Sequence, residues 1–202
     1  MRFMELPEPD LEQFALTLFD IGAVRLGQFR LHSGLDSPIY LDLRMLVSYP
    51  AALRLATAVY QRLLSDLEFD LLAAAPMAGL PLGTAVCLAM DKPLIYPRKT
   101  AKSYGTGKGI EGAYMVGQTA VVIDDLVTSG DSILQAIVAL KAAGLHVRDA
   151  VVLVDREQGG MDTLREAGYQ PHAAVTIRQL LNTLEIHQRI TARDRAKVLQ
   201  NL

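Results

Sequence analysis

Cysteine occurs once in the 202 residues, at Cys87, which excludes an intrachain disulfide and any cysteine-built metal cluster. A lone thiol fits a reducing interior, so the protein is expected in the cytoplasm. Excess positive charge is missing too. A formal net charge of -2 offers no general attraction for nucleic acid or for an acidic membrane surface, so any anion recognition must be local. The four histidines, His32, His146, His172 and His187, form no HExxH and no paired metal spacing, and read as surface or capping residues. No internal repeat or low-complexity linker is present. Met1 to Asp10 carries Glu5, Glu8 and Asp10 with Pro7 and Pro9, where an export signal needs a basic start and an apolar run; none is expected. One uncharged stretch, Leu71 to Met90, has the length of a membrane span. Pro76 and Pro81 interrupt it, and Asp70, Asp91 and Lys92 supply no one-sided basic flank. A buried strand, a loop and a buried helix fit it better, and no membrane partner is expected.

What remains is an ordinary globular composition, with 50% hydrophobic and 21% charged residues, enough to build a sizeable core. At roughly 100–200 residues per domain, one domain is expected. Helical spacing appears over Pro9 to Ala23 and again over Pro50 to Leu67. Between them, Gln28 to His32 and Pro38 to Leu43 read as short strands joined by Ser33, Gly34 and Asp36. From Phe69 onward, apolar runs alternate with helical patterns: LLAAA, GLPLGTAVCLAM, PLIY, TAVVI, DSILQAIVALKAAG and DAVVLV. That alternation argues for βα units around a parallel sheet. Gly144 stands where a helix C-terminus would want it. Further helices are expected over Met161 to Ala167, Ile177 to His187 and Thr191 to Gln200.

The chemistry concentrates between the strand pattern of Ala120 to Ile123 and the helix starting near Ser132. The connecting residues are Asp124, Asp125, Leu126, Val127, Thr128, Ser129, Gly130 and Asp131. A small-residue loop entering a helix N-terminus presents unpaired backbone N–H groups. Gly130 permits positive φ, and the hydroxyls of Thr128, Ser129 and Ser132 can donate to phosphate oxygens. Asp124 and Asp125 would repel a phosphate but accept hydrogen bonds from sugar hydroxyls, or face a phosphate-bound divalent cation. A ribose phosphate offers both kinds of group. The same residues also suit an Asx-capped helix start with two solvated acids.

VVIDDLVTSGDS resembles the phosphoribosyl diphosphate signature of the type I phosphoribosyltransferases. FRLHSGLDSPIYLDLR, PMAGLPLGTA, YPRKTAKSYGTGKGIEG and VLVDREQGG extend the resemblance from about Phe14 to Ile177, towards the orotate phosphoribosyltransferases. The branch most similar is the one that in animals is fused to orotidylate decarboxylase. The implied fold is the α/β type I phosphoribosyltransferase fold, a parallel sheet flanked by helices. A small hood would come from about residues 1–48 plus C-terminal residues, over a core of about 50–180. The implied reaction converts orotate and phosphoribosyl diphosphate to orotidine 5′-phosphate and diphosphate, with Mg²⁺ held by substrate and reaching Asp125 through water.

The resemblance also implies roles. Asp124 and Asp125 hold the ribose, the Thr128 to Ser132 loop anchors the 5′-phosphate, and Leu126 and Val127 also bind phosphoribosyl diphosphate. Met77 and Ala78 lie in a diphosphate loop that binds through backbone amides. Thr128, Arg156 and His32 contact orotate, His32 standing where many members carry lysine. Arg98, Lys99, Lys102 and Lys108 fall in a glycine-containing segment with no acid before Glu111, a candidate cationic lid. By resemblance Arg98, Lys99 and Lys102 neutralise the diphosphate, with the loop shared between subunits of a homodimer. Lys102, whose charge is used most in the transition state, is expected to lose most rate on truncation. Tyr104 replaces a bacterial loop histidine and retains a hydroxyl for positioning. Ala78 replaces a lysine found in some bacterial members.

Two motif matches are set aside. Gly107 to Gly112 satisfies GxGxxG without the strand-turn-helix context, and Lys108 is followed by Gly109, so no ATP-type P-loop exists. Two other functions remain open from the residues: a phosphoribosyltransferase for a purine or uracil, and a regulatory module that binds phosphoribosyl diphosphate without turnover. RKTAKSYG and DREQGG weigh against the first. The retained loop cations and the lack of a basic nucleic-acid surface weigh against the second.

Overall fold

A computed structural model describes residues 11–30, 36–98 and 109–202. Helix α1 (Leu11–Asp20) is followed by strands β1 (Val24–Arg30) and β2 (Asp36–Leu41), a 3-10 turn over Leu43–Ser48 and helix α2 (Pro50–Leu64). There follow β3 (Leu71–Ala74), α3 (Gly79–Met90), β4 (Leu94–Pro97), β5 (Ile110–Glu111), β6 (Thr119–Val127) and α4 (Asp131–Ala142). The chain ends with β7 (His146–Asp155), α5 (Gly160–Glu166), β8 (Gln170–Thr176), α6 (Ile177–Ile186) and α7 (Ala192–Leu199). Six strands form one sheet in the order β5-β4-β3-β6-β7-β8, parallel throughout except for β5. The antiparallel pair β1-β2 stands apart as a second sheet.

Alternation along the central strands divides the core. Leu72, Ala74, Val121, Ile123, Val151 and Leu153 face one side, where they pack with buried residues of α1, α2, α3 and α6. Leu71, Ala73, Ala120, Val122, Ala150 and Val152 face the other and pack with Ile133, Ile137, Leu140 and Leu164 of α4 and α5. Both faces are covered, which explains why these strands read as continuous apolar runs. The uncharged stretch from Leu71 resolves into β3, a turn and α3, and no helix among the described residues is long and apolar enough to cross a membrane.

Val24, Ile39 and Leu41 tie the β1-β2 pair to the first core face, while α1 packs on α2 and α6, and α7 reaches β2. The N-terminal and C-terminal segments therefore meet on one side of the central sheet. Several boundaries differ from the sequence expectation. Asp36 begins β2 rather than belonging to the turn. The expected second strand stops at Leu41, because Leu43 and Leu46 turn inward as buried residues of the 3-10 segment. Strand β8 was not foreseen. Pro171, His172 and a mostly half-buried pattern hide an edge strand that pairs on one side only.

Helix α2 starts at Pro50, whose fixed φ suits a first turn, and buries Ala52, Ala56, Val59, Tyr60 and Leu64 on one stripe. Tyr60 is fully buried, and its hydroxyl donates to the backbone carbonyl of Asp124 at 2.5 Å. A buried phenol needs such a partner. Replacing Tyr60 by Phe would leave that buried carbonyl short of a donor, so urea denaturation should show a loss of about 1–3 kcal/mol. Wild-type stability in Tyr60→Phe would contradict the assigned role of the bond.

Candidate functional site

Chain order makes a crevice. From β3 the chain steps to β4 on one side, then returns to place β6, β7 and β8 on the other. Parallel α/β sheets bind ligands at the carboxyl ends of their strands beside such a reversal. Here the reversal separates β3 from β6. The turn after β3 carries Met77 and Ala78, β6 ends in Asp124 to Val127, and Arg156 directly follows β7. Arg98 directly follows β4. Four segments singled out in the sequence thus leave neighbouring strands at the same edge. His32, Lys99, Lys102, Tyr104 and Lys108 lie outside the described residues.

Asp124, Asp125, Leu126 and Val127 belong to the strand, not to the loop expected from the sequence. The reason is unequal pairing: β3 matches β6 only from Leu71–Ala120 to Ala74–Ile123, whereas β7 continues alongside as far as Val127–Asp155. Ala75 N–H donates to Ile123 O at 2.9 Å, and no paired residues follow on that side. Along this stretch each acid also turns its side chain back onto the amide that follows it. Asp124 Oδ1 accepts the amide of Asp125 at 3.0 Å, and Asp125 Oδ1 accepts that of Leu126 at 2.9 Å. Asp124 Oδ2 accepts Ser132 Oγ at 3.0 Å from the first turn of α4.

Burial raises the pKa of both carboxyls. Asp124, 5% exposed, is pushed up to about 7, mainly by desolvation and then by the neighbouring charge of Asp125. Asp125 is also raised by burial, opposed by the Leu126 amide and more weakly by the positive charge of Arg44. Close acids of this kind titrate as a pair. Arg44 was not anticipated as a site residue. Asp42 holds its guanidinium at 2.6 and 2.9 Å, and the Tyr40 hydroxyl lies at 3.2 Å. The motif SPIYLDLR therefore encodes a fixed cation whose charge reaches Asp125.

The turn into α4 is tightly shaped. Gly130 has φ +88°, confirming the need for glycine, and precedes a helix whose start has no side-chain cap. Ser129 Oγ donates to Asp131 Oδ2 at 2.7 Å and Ser132 Oγ donates to Asp124, so two of the three hydroxyls expected to face phosphate are internally engaged. Thr128 is half-buried. Gly160 presses on this turn: a Cβ there would meet Thr128 O at 2.4 Å and Gly130 N at 2.9 Å. The second glycine of DREQGG is thus explained by packing against the acidic motif's loop.

Arg156 is buried at 8% exposure, and its Nε finds no hydrogen-bond partner among the described residues. Burial pulls its pKa below the usual guanidinium value. A buried cation of this kind suits an anionic partner brought from outside. Arg98 is half-buried and paired with Glu111, and its amide donates to Gly109 O at 2.9 Å, holding the two ends of the basic segment together. Met77 is 64% exposed, Ala78 is half-buried, and a cis peptide joins Pro76 to Met77. No group of three or more His, Cys, Asp or Glu able to hold a metal occurs among the described residues. Two adjacent carboxylates instead suit an ion carried mainly by a ligand.

The raised pKa of Asp124 has a consequence for stability. The folded chain binds that proton more tightly than the unfolded chain, so the stability it contributes is present below about pH 4 and lost as pH rises through 7. Asp124→Asn, which keeps an acceptor and carries no charge, should be more stable than wild type at pH 8 by on the order of 2 kcal/mol. Thermal melts should show that gain shrinking towards pH 5; an equal gain at both pH values would contradict the assignment.

Comparison with known proteins agrees with this geometry. The phosphoribosyl transferase domain family matches residues 45–166, more than half of the chain. Orotate phosphoribosyltransferase of Pyrobaculum aerophilum is 42% identical over 171 residues, 84% of this chain and 89% of the relative. Uridine 5′-monophosphate synthase of Bos taurus is 42% identical over 177 residues, 87% of this chain and 37% of the relative, so the chain spans little more than a third of that protein. The structure of UMP synthase from Leishmania donovani superposes with a TM-score of 0.87 at 43% identity, covering 95% of this chain and 42% of that one. With its sheet order, its paired acids and these relatives in agreement, the chain belongs to the phosphoribosyltransferase family, in its orotate phosphoribosyltransferase group.

Proposed function

We propose that this chain transfers the phosphoribosyl group of 5-phosphoribosyl 1-diphosphate to orotate, releasing orotidine 5′-phosphate and diphosphate on the route to UMP. The observation that carries the reading is the placing, at the strand reversal, of the buried Asp124 and half-buried Asp125 one strand away from the buried Arg156, whose Nε has no partner among the described residues. The acids are suited to ribose hydroxyls, and the guanidinium to a planar carboxylate, which it can hold with paired hydrogen bonds.

In this reading Asp124 and Asp125 orient the ribose through its hydroxyls, and their negative charge favours positive charge developing at C1 as the bond to diphosphate breaks. The turn from Thr128 to Ser132 takes the 5′-phosphate on its backbone amides, with the hydroxyls of Thr128, Ser129 and Ser132 turning outward to assist. The backbone at Met77 and Ala78, with Arg98, Lys99 and Lys102, receives the diphosphate, and Arg98 exchanges Glu111 for it. Tyr104 positions through its hydroxyl. Arg156, Thr128 and His32 hold orotate so that its ring nitrogen faces C1.

Mg²⁺ carried by the substrate would suit the paired acids, with Asp125 the residue that would hold it through water, and would supply neutralisation of charge on the diphosphate. We also propose a cytoplasmic homodimer in which the basic segment serves the neighbouring subunit's site. Residues 1–48 and the C-terminal helices form the hood over the base, and residues 50–180 form the core. The meeting of α1, α6, α7 and the β1-β2 pair supports that division.

The test follows loss of orotate ultraviolet absorbance with phosphoribosyl diphosphate and Mg²⁺. Wild type should turn over. Arg156→Ala should lose at least about tenfold in kcat/KM for orotate, and Lys102→Ala should lose about a hundredfold or more in kcat. Absence of wild-type turnover would refute the activity.

A further inference from the structure

Glu157 follows Arg156 and has an unusual backbone. Its φ is +52°, a left-handed conformation that a residue with a side chain rarely adopts without support. Support comes from both neighbours in space. The Glu157 amide donates to Asp155 Oδ1 at 2.8 Å, which closes a tight turn around Arg156. The Glu157 carboxylate reaches across to the start of α6, where Oε2 accepts the backbone amide of Arg178 at 3.0 Å and Oε1 lies 3.5 Å from Arg178 Nε. The side chain of Glu157 is 28% exposed, against 56% for that of Arg178, so the carboxylate is the more enclosed partner.

Helix α6 is a rigid anchor. Its N-terminus is closed by Thr176, whose side chain accepts the Gln179 amide while Gln179 returns a bond to the Thr176 amide. Glu157 takes a further first-turn amide and places a negative charge at the positive end of the helix. Ile177, Leu180, Leu181 and Leu184 root the same helix in the core. Arg156 itself has no partner at Nε among the described residues, so nothing shown at that atom fixes its side chain. Its backbone sets where the side chain leaves the chain, and that backbone is held on one side by its own amide on Val127 O at 3.0 Å and on the other by Glu157.

We propose that Glu157 is a positioning residue: by clamping the turn after β7 to the N-terminus of α6, it holds Arg156 in the orientation that receives the carboxylate of the base. This rests on the proposed reading of Arg156 as the orotate-binding cation. A misdirected guanidinium loses affinity for that one substrate and leaves the phosphoribosyl diphosphate subsite, built on β3 and β6, intact.

The experiment measures KM for orotate and for phosphoribosyl diphosphate in wild type, Glu157→Ala and Glu157→Gln. Glu157→Ala should raise KM for orotate about tenfold while KM for phosphoribosyl diphosphate stays within about twofold. Glu157→Gln keeps an acceptor for the Arg178 amide and should recover most of the orotate affinity. A Glu157→Ala protein with wild-type orotate KM, or with both KM values raised together, would overturn the proposal. So would Glu157→Gln as impaired as Glu157→Ala. Wild-type protein inactive with orotate would instead refute the underlying function, which keeps the two failures apart.

Discussion

A parallel strand that outruns its neighbour exposes backbone groups that the sheet no longer satisfies, and buried groups of that kind need other partners. Strand β6 does this from Asp124 to Val127, where β7 continues on one side and β3 has ended on the other. In this stretch each aspartate takes the amide that follows it, and Tyr60 adds a donor to the Asp124 carbonyl from helix α2. The same arrangement leaves two carboxylates packed together at the edge where the strand order reverses. The acids that take these amides also form the candidate site.

That arrangement is electrostatically costly. Burial raises both carboxyl pKa values, and burial lowers that of Arg156 one strand away. Burial disfavours the charged form of each group where a ligand of opposite polarity would offset the cost, a pattern more typical of binding sites than of regions built only for stability. Arg44 moderates the imbalance near Asp125 while itself fixed by Asp42 and Tyr40. The antiparallel pair supplies Tyr40, leads directly into Asp42 and is joined to the core by Val24, Ile39 and Leu41, so the second sheet contributes to the electrostatics of the first.

Much of this was readable beforehand. The run GLPLGTAVCLAM coincides with α3, and the apolar runs around TAVVI and DAVVLV mark the centres of β6 and β7, because strands buried on both faces leave continuous hydrophobic signals. The acids and Gly130 were visible as a motif, but aspartate is poor in strands and turn-like in sequence, so Asp124 and Asp125 looked like loop residues. Their place in β6 depends on how far β7 extends, which no local pattern contains. Tyr60 showed only as one member of a helical stripe. Its hydroxyl contact spans 64 positions. Gly160 was visible in DREQGG, yet the need for glycine comes from the backbone of Thr128 and Gly130. Glu157 gave no separate signal, since its partner is the first turn of a helix that begins after another strand.

The central claim is that β6 holds the buried Asp124 and the half-buried Asp125 as a pair ready to accept sugar hydroxyls. Carbon NMR of aspartate side-chain carboxyls, assigned with Asp124→Asn and titrated from pH 4 to 9 with and without Mg²⁺ and phosphoribosyl diphosphate, tests this directly. In the free protein the Asp124 carboxyl should titrate near 7. With ligand bound it should remain ionised down to about pH 5, because hydroxyl donors and a nearby cation favour the charged form. A carboxyl that titrates near 4, as an ordinary aspartate does, in both free and liganded protein would contradict the account.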